Sequence, residues 1–328
     1  MSSLATLRSA YAGHLAAFAE PREDRWRHAV ETFHAPGAAI ETVHPIDGAS
    51  GPEAHWRRFH APMLAAFEGL HRRVDILMAG RFEGGEWVTS MGYWVGHFRA
   101  PFLGIAPTGR LAYLRTGEFH RIEDGRAVES YVYLDLPELM IASGQWPVTL
   151  PPGYCGMLPG PASRDGVLLA DGDPGEADRS FRIVTEMLSK LNTPDEGWRP
   201  YWHPNMLWYG PAAFGSYLGV EHFAGFQRPF ELCFEGWAGG STGSGRTRHF
   251  TRFGDGAYTC SGGWPSLSGV SVKPFLDRPA TGRMTFMRVC DWWRREGDRL
   301  VENWVFVDVP HLLVQLGRDL FAGVEAAA

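Results

Sequence analysis

The chain has 328 residues, a mass of 36.5 kDa and 45% hydrophobic residues, among them 13 Trp, 20 Phe and 10 Tyr. That excludes a disordered solvating chain and is more than one compact domain of ordinary size needs. A formal charge of −6 with no long basic run excludes nucleic acid and anionic membrane as main partners and fits a small apolar or aromatic ligand.

The four cysteines, Cys155, Cys233, Cys260 and Cys290, form no C-x-x-C pair, so neither a zinc knuckle nor a redox dithiol is signalled, and a reducing compartment is expected. Met1 to Phe18 is broken by Arg8 and His14, unlike a signal peptide, and no stretch reaches the length of a membrane span. A soluble, cytoplasmic protein is the expectation.

In chain order, Leu4, Leu7, Tyr11, Leu15 and Phe18 recur at helical spacing before Pro21 and predict an opening helix. Trp56, Phe59, Met63 and Phe67 suggest a second one, limited by Pro62. β-type alternation then runs over Glu86 to Gly96, Ala112 to Arg121 and Val128 to Asp135, with Glu123-Asp124-Gly125-Arg126 as a hairpin turn. Pro151 to Asp178, rich in Pro, Gly and Asp, reads as a linker. The pattern then begins again: a helix through Phe181, Val184, Leu188 and Leu191, a second through Phe223, Phe226, Phe230 and Phe234, and strands at Ala257 to Trp264, Thr285 to Arg294 and Val301 to Asp308. Helices first and an antiparallel meander after them make an α+β order.

The recurrence is a repeat. At an offset of 173, Pro101-Phe102-Leu103 matches Pro274-Phe275-Leu276, Thr108-Gly109-Arg110 matches Thr281-Gly282-Arg283, and the register holds through Arg115 with Arg288, Val128-Glu129 with Val301-Glu302, Asp135 with Asp308 and Gly144 with Gly317. The expected organisation is a domain at 1–150, a linker at 151–177 and a second domain at 178–328.

Glu129, Tyr131, Tyr133 and Asp135 share one face of the last strand, and Glu302, Trp304, Phe306 and Asp308 repeat them. A carboxyl among large rings has its pKa raised and becomes useful as an acid or base; a strand-end Asp before Pro137 or Pro310 also suits a turn or cap. His34 and His203 occupy equivalent places and read as a general base, a hydrogen-bond donor or a satisfied core histidine. Glu118 and Asp291 are a matched acidic pair beside Arg115 and Arg288. Residues three apart on a strand face opposite ways, so Arg and acid need not meet; a solvated ion-pair ladder is the other reading.

Trp208-Tyr209-Gly210-Pro211 with His203 and Trp264 is expected to line the second pocket, together with Arg288, Asp291 and Trp304. Tyr93, Arg115, Glu118 and Tyr131 are the corresponding set in the first. Val132, Leu134, Val305 and Val307 are expected on an outer apolar face through which the copies pair as an intrachain pseudo-dimer, or through which the chain forms a homo-oligomer. Gly240 to Thr247 approximates a phosphate loop, but Arg246 stands where Lys is needed and a strand-like stretch follows. No H-E-x-x-H or compact His/Asp set signals a metal, and no G-x-S-x-G elbow is present.

Each half resembles the SnoaL-like polyketide cyclases, or ester cyclases, of the nuclear transport factor 2-like superfamily. The residues that carry the resemblance are Arg288, Gly297-Asp298, Val301-Glu302-Asn303-Trp304, Asp308 and Leu312 to Gly317. The first copy has Arg115, Asp124-Gly125, Val128-Glu129-Ser130-Tyr131, Asp135 and Leu139 to Gly144. The resemblance implies two tandem cones, each a curved antiparallel sheet wrapped around helices, and no cofactor. It implies Asp308 or Asp135 as the acid/base of an intramolecular aldol closure, with His203 or His34 assisting. Two function classes follow: a cofactor-independent cyclase, isomerase, lyase or hydrolase of a small hydrophobic carbonyl compound, or a non-catalytic small-molecule-binding or scaffold protein.

Overall fold

The computed structural model describes residues 3–239 and 247–323. They form two compact units, the described parts of Met1–Trp146, Pro159–Asp171 and Phe321–Ala328 in one and of Pro147–Leu158 and Gly172–Leu320 in the other. The stretch expected as a linker is therefore shared out: Leu77 donates its backbone N–H to Gly166 at 2.9 Å and pairs with Val167, which ties 159–171 to the first unit.

In the first unit α1 (Leu4–Ala16) starts where the Ser3 hydroxyl accepts from the Thr6 N–H at 3.1 Å. Its stripe of Leu7, Tyr11 and Leu15 packs on Leu77, Ala79, Val88 and Ile122 of the sheet. There follow α2 (Glu23–Phe33), β1 (His34–Thr42), the short β2 (Ala49–Ser50), and a helical run of α3 (Pro52–His55), one π turn (Trp56–His60) and α4 (Ala61–Ala66). The meander is β3 (Phe67–Phe82), β4 (Gly85–Phe98), β5 (Leu111–Glu123) and β6 (Arg126–Leu134), closed by α5 (Leu136–Ala142). The sheet order is β2-β1-β6-β5-β4-β3, and β1 lies parallel to β6 in an otherwise antiparallel sheet. Asp124 and Gly125, both at positive φ, form the β5–β6 turn.

The second unit repeats this with α6 (Pro174–Leu188), β7 (Trp202–Tyr209), β8 (Ser216–Leu218), α7 (Val220–Glu231), β9 (Phe234–Gly239), β10 (His249–Asp255), β11 (Tyr258–Ser271), β12 (Met284–Glu296), β13 (Arg299–Val307) and α8 (Val309–Gln315). Its order is β10-β11-β12-β13-β7-β8, with β7 parallel to β13 and β9 paired to the far end of β11. The chain thus holds two α+β units of matching strand order, as the repeat implied. Helix α6 opens at Pro174, earlier than the apolar spacing predicts, because the Asp173 carboxylate accepts from the Gly175 N–H at 2.8 Å.

The two units differ between their opening helix and first long strand. Between α1 and β1 the first unit inserts α2, whose Trp26 is fully buried against Phe18 and Trp94 at ring distances of 5.2 Å. Between α6 and β7 the second unit has only turns and a single 3-10 turn, Arg199–Tyr201. There Trp198 is the buried ring, 5.4 Å from Phe223.

Strand closeness gives a test. A Cβ on Gly92 would lie 2.1 Å from the Arg73 backbone oxygen, so Gly92→Ala should destabilise the first unit by about 3 kcal/mol or more. On Gly13, in α1, a Cβ meets nothing within 4 Å, so Gly13→Ala should stabilise by roughly 0.5–1 kcal/mol. Urea unfolding of both variants measures the two signs.

Candidate active site

Inside the second cone lies a cavity of about 520 Å³. One wall is aromatic: Trp202, Trp208, Phe214 and Trp237, with Phe223, Phe226 and Phe230 of α7. The sheet wall carries the polar groups Asp291 and Trp293 of β12, Asn303 of β13, Ser261 and Ser266 of β11, and His249 of β10. β12 is opposed by β11 and β13, so Asp291 stands across from Ser261 on one side and Val305 on the other.

Asp291 is the carboxyl of this wall. Its Oδ1 accepts from the Asn303 amide at 3.3 Å, and that amide also donates to the Trp292 carbonyl at 3.1 Å, which fixes its orientation. Removal from bulk water pushes the carboxyl up to about 7, against the smaller opposing effects of Asn303 and the Arg252 charge. Burial lowers His249 to about 3, so this ring is neutral at ordinary pH. His249 Nδ1, Ser261 Oγ, Ser266 Oγ, Trp202 Nε1 and Trp293 Nε1 are buried without a protein hydrogen-bond partner on the same cavity. They are the groups available to a polar ligand atom.

The first unit places Glu118 at the corresponding point of β5, opposite Ser90 and Val132. Its surroundings differ. Oε1 lies 3.4 Å from the Arg72 guanidinium and Oε2 lies 3.6 Å from His120 Nε2. Burial pushes this carboxyl upward, but Arg72 and His120 together outweigh it and hold it at about 2. Around the pair sit His34, His55 and His60, all buried, with ring centroids 5.7 Å apart for His34 and His55 and 4.9 Å for His55 and His60. Tyr11 donates to or accepts from Ser90 at 2.8 Å. The π turn brings His55 and His60 to the same interior. Among the described residues, no group of three or more His, Cys, Asp or Glu is arranged to hold a metal ion.

The other expected residues lie elsewhere. Asp308 ends β13 and starts α8: it accepts from the His311 N–H at 3.1 Å and pairs with Arg288 at 2.9 Å. Asp135 pairs with Arg115 at 3.1 Å in the same way, and beside them burial followed by the Asp135 charge raises Glu138 well above the usual range. These aspartates are strand-end clamps on the face opposite Asp291 and Glu118, and Asp308 does not line the cavity. The reason is period: Val305 and Val307 line the cavity, so Trp304, Phe306 and Asp308 face away from it. For the same reason Val305 and Val307 do not belong to an outer face; Val132 and Leu134 are buried too.

Trp208 lines the cavity as expected, whereas Tyr209 turns the other way, donating to Glu302 at 3.3 Å and packing 5.4 Å from Trp304. His203 is exposed, its Nδ1 accepting from the Asn205 N–H at 3.1 Å, because Trp202, which pairs with Leu300 as His34 pairs with Ala127, takes the interior position and leaves the next residue facing out. Trp264 lies under the Arg288 guanidinium at 4.3 Å. Tyr93 is buried against Tyr113 at 6.0 Å, and Tyr131 donates to Glu129 at 2.5 Å. His34 alone of the expected histidines is interior, with Nδ1 on the Val30 carbonyl at 3.1 Å. The phosphate-loop-like stretch at 240–246 lies outside the described residues; β10 follows it, as its alternation indicated. His249, Ser261, Ser266 and Asn303 were not expected from sequence.

Each unit thus carries one interior carboxyl on its central strand. Residues 12–142, in the first unit, match the family model described as SnoaL-like polyketide cyclase. No curated protein matches the chain. Among solved structures it is similar to a proposed SnoaL-like polyketide cyclase from Jannaschia sp. CCS1, at 24% identity over 43% of this chain and 94% of that one, with TM-score 0.36. It is also similar to an NTF2-like protein from Burkholderia thailandensis E264, at 18% identity, 44% and 98% coverage and TM-score 0.33. An LEH-like epoxide hydrolase of M. tuberculosis matches at 16% identity, 45% and 96% coverage and TM-score 0.33. Among the described residues no helix is long and apolar enough to cross a membrane.

The buried histidines predict acid sensitivity. Burial lowers His55 to about 4 and takes His34 and His60 well below their ordinary value of 6.5. The unfolded chain then binds protons more readily than the folded one below pH 6.5, so stability falls as pH drops from there toward 4. His55 alone should cost about 2 kcal/mol by pH 5. Urea midpoints at pH 7 and pH 5 measure this, and His55→Phe should flatten the difference.

Proposed function

We propose that the second unit is a cofactor-independent acid/base catalyst acting on a small, flat, hydrophobic carbonyl compound, with Asp291 as the base. The observation that carries this reading is a carboxyl raised to about 7 on the polar wall of an aromatic cavity. At neutral pH a large fraction of Asp291 is ionised, enough to accept a proton, and its conjugate acid is strong enough to return it.

The carboxylate takes a proton from the carbon beside the carbonyl, and the C–H electron pair passes into an enolate. The Ser261 and Ser266 hydroxyls and the neutral His249 ring are the donors available to the enolate oxygen. If the proton returns to another atom of the enolate, the outcome is isomerisation. If the enolate carbon attacks a second carbonyl of the same molecule, a ring closes and the new alkoxide takes the proton from Asp291. The second unit repeats the first, whose residues 12–142 match a SnoaL-like polyketide cyclase family model, and through that repeat ring closure is favoured among these.

The first unit supports the second reading, a non-catalytic ligand-binding or structural role for that copy. A carboxyl held at about 2 by Arg72 and His120 is too weak a base for carbon acids.

Exchange of the α-protons of 1-tetralone in D2O, followed by NMR, tests the chemistry without the natural substrate. The wild-type rate should rise with pH through an inflection near 7. Asp291→Asn should lower it by about a hundredfold or more, and Asn303→Leu should move the inflection upward by removing a hydrogen bond that favours the carboxylate. Asp308→Asn should leave exchange intact in the folded protein. Equal rates for wild type and Asp291→Asn would remove the reading.

A further inference from the structure

A second cavity of the same unit, about 920 Å³, lies between α7, β8 and the turn at Pro274 to Asp277. Phe226 and Phe230 line both this outer cavity and the inner one. Their rings stack at 5.7 Å and 10°, Tyr217 stacks on Phe226 at 5.1 Å, and Phe275 stands 5.3 Å from Phe230. Two nearly parallel rings are thus the partition between the cavities.

The helix carrying them is weakened at this point. Pro229 has no N–H to give to the Gly225 carbonyl one turn earlier, so the helical ladder lacks a rung between the two phenylalanines. Gly225 adds backbone freedom, and a Cβ there would meet nothing within 4 Å. The outer cavity carries two carboxylates, Glu221 and Asp277, against the single imidazole of His222, which disfavours anions.

We propose that the outer cavity is the vestibule of the inner one, and that Phe226 and Phe230 form a gate that admits neutral, flat ring compounds between them. This rests on the inner cavity being the ligand site proposed above. The pair then controls how fast a ligand enters, while residues that face only the inner cavity, such as Phe223, control how tightly it is held.

The probe is 2-naphthol, neutral at pH 7, and the signal is quenching of tryptophan fluorescence in the full chain by stopped flow, since Trp202, Trp208, Trp237 and Trp293 line the inner cavity. Phe226→Leu and Phe230→Leu keep most of the packing volume and should raise the association rate by about fivefold, with dissociation raised at least as much because both rings also line the inner cavity. Gly225→Ala, which stiffens the helix, should slow both. Phe223→Leu should change Kd through dissociation and leave association unmoved.

If the two gate variants act like Phe223→Leu, with association unchanged, the gate is overturned while the ligand site stands. If wild type shows no saturable quenching, or if quenching persists in an Asp291→Trp variant that fills the inner cavity, the ligand site falls and the gate falls with it.

Discussion

The period-two alternation of the central strand governs the chemistry of both units. On β12, Arg288 and Asp291 are three residues apart and so face opposite ways; on β5, Arg115 and Glu118 do the same. The outward arginine clamps the aspartate that ends the next strand, at 2.9 Å in the second unit and 3.1 Å in the first. That clamp also takes the Asp308 and Asp135 backbone N–H groups onto the Arg288 and Arg115 carbonyls at 3.0 Å. Register, strand end and helix start are fixed together, and the acid inside the cone is left at the depth the register dictates. A one-residue slip would exchange the two carboxyls between structure and chemistry.

That logic separates what the residues disclosed from what they concealed. The repeat, the α+β order and the strands from Glu86 onward were legible because alternation and turn residues are local signals. The parallel pairing of β1 with β6 was not, since it joins His34–Thr42 to a strand some ninety residues later, and nothing local records such a partner. Glu118 and Asp291 were visible as a matched pair, and opposite faces for Arg and acid followed from period alone. Which face was inside did not follow. Aromatic rings beside Asp308 suggested a pocket, but Trp304 and Phe306 are buried on the face away from the cavity, and rings pack equally well on either side of a sheet.

His203 was misleading for a related reason. Its match to His34 is one residue out of register: His34 pairs with Ala127 and Trp202 with the equivalent Leu300, so Trp202 takes the interior place of His34, and His203, the next residue along the strand, faces out. The stretch between the first helix and the first strand differs as well: in the first unit α2 buries Trp26 against Phe18 and Trp94, whereas in the second a series of turns buries Trp198 against Phe223.

The difference between the two interior acids comes down to the charge of the nearest donor. Glu118 faces a guanidinium at 3.4 Å, and a full positive charge in a poorly solvated interior more than offsets the cost of burying the carboxylate. Asp291 faces the amide of Asn303 at 3.3 Å, a neutral dipole that offsets only part of that cost, and the more weakly felt charge of Arg252 does not complete it. The carboxyl is thus left between the two protonation states near neutrality. One copy spends its interior charge on a permanent ion pair, while the other keeps a carboxyl whose proton is free to move. Duplication of a fold permits this division because the clamp that maintains each strand end is independent of the group on the opposite face.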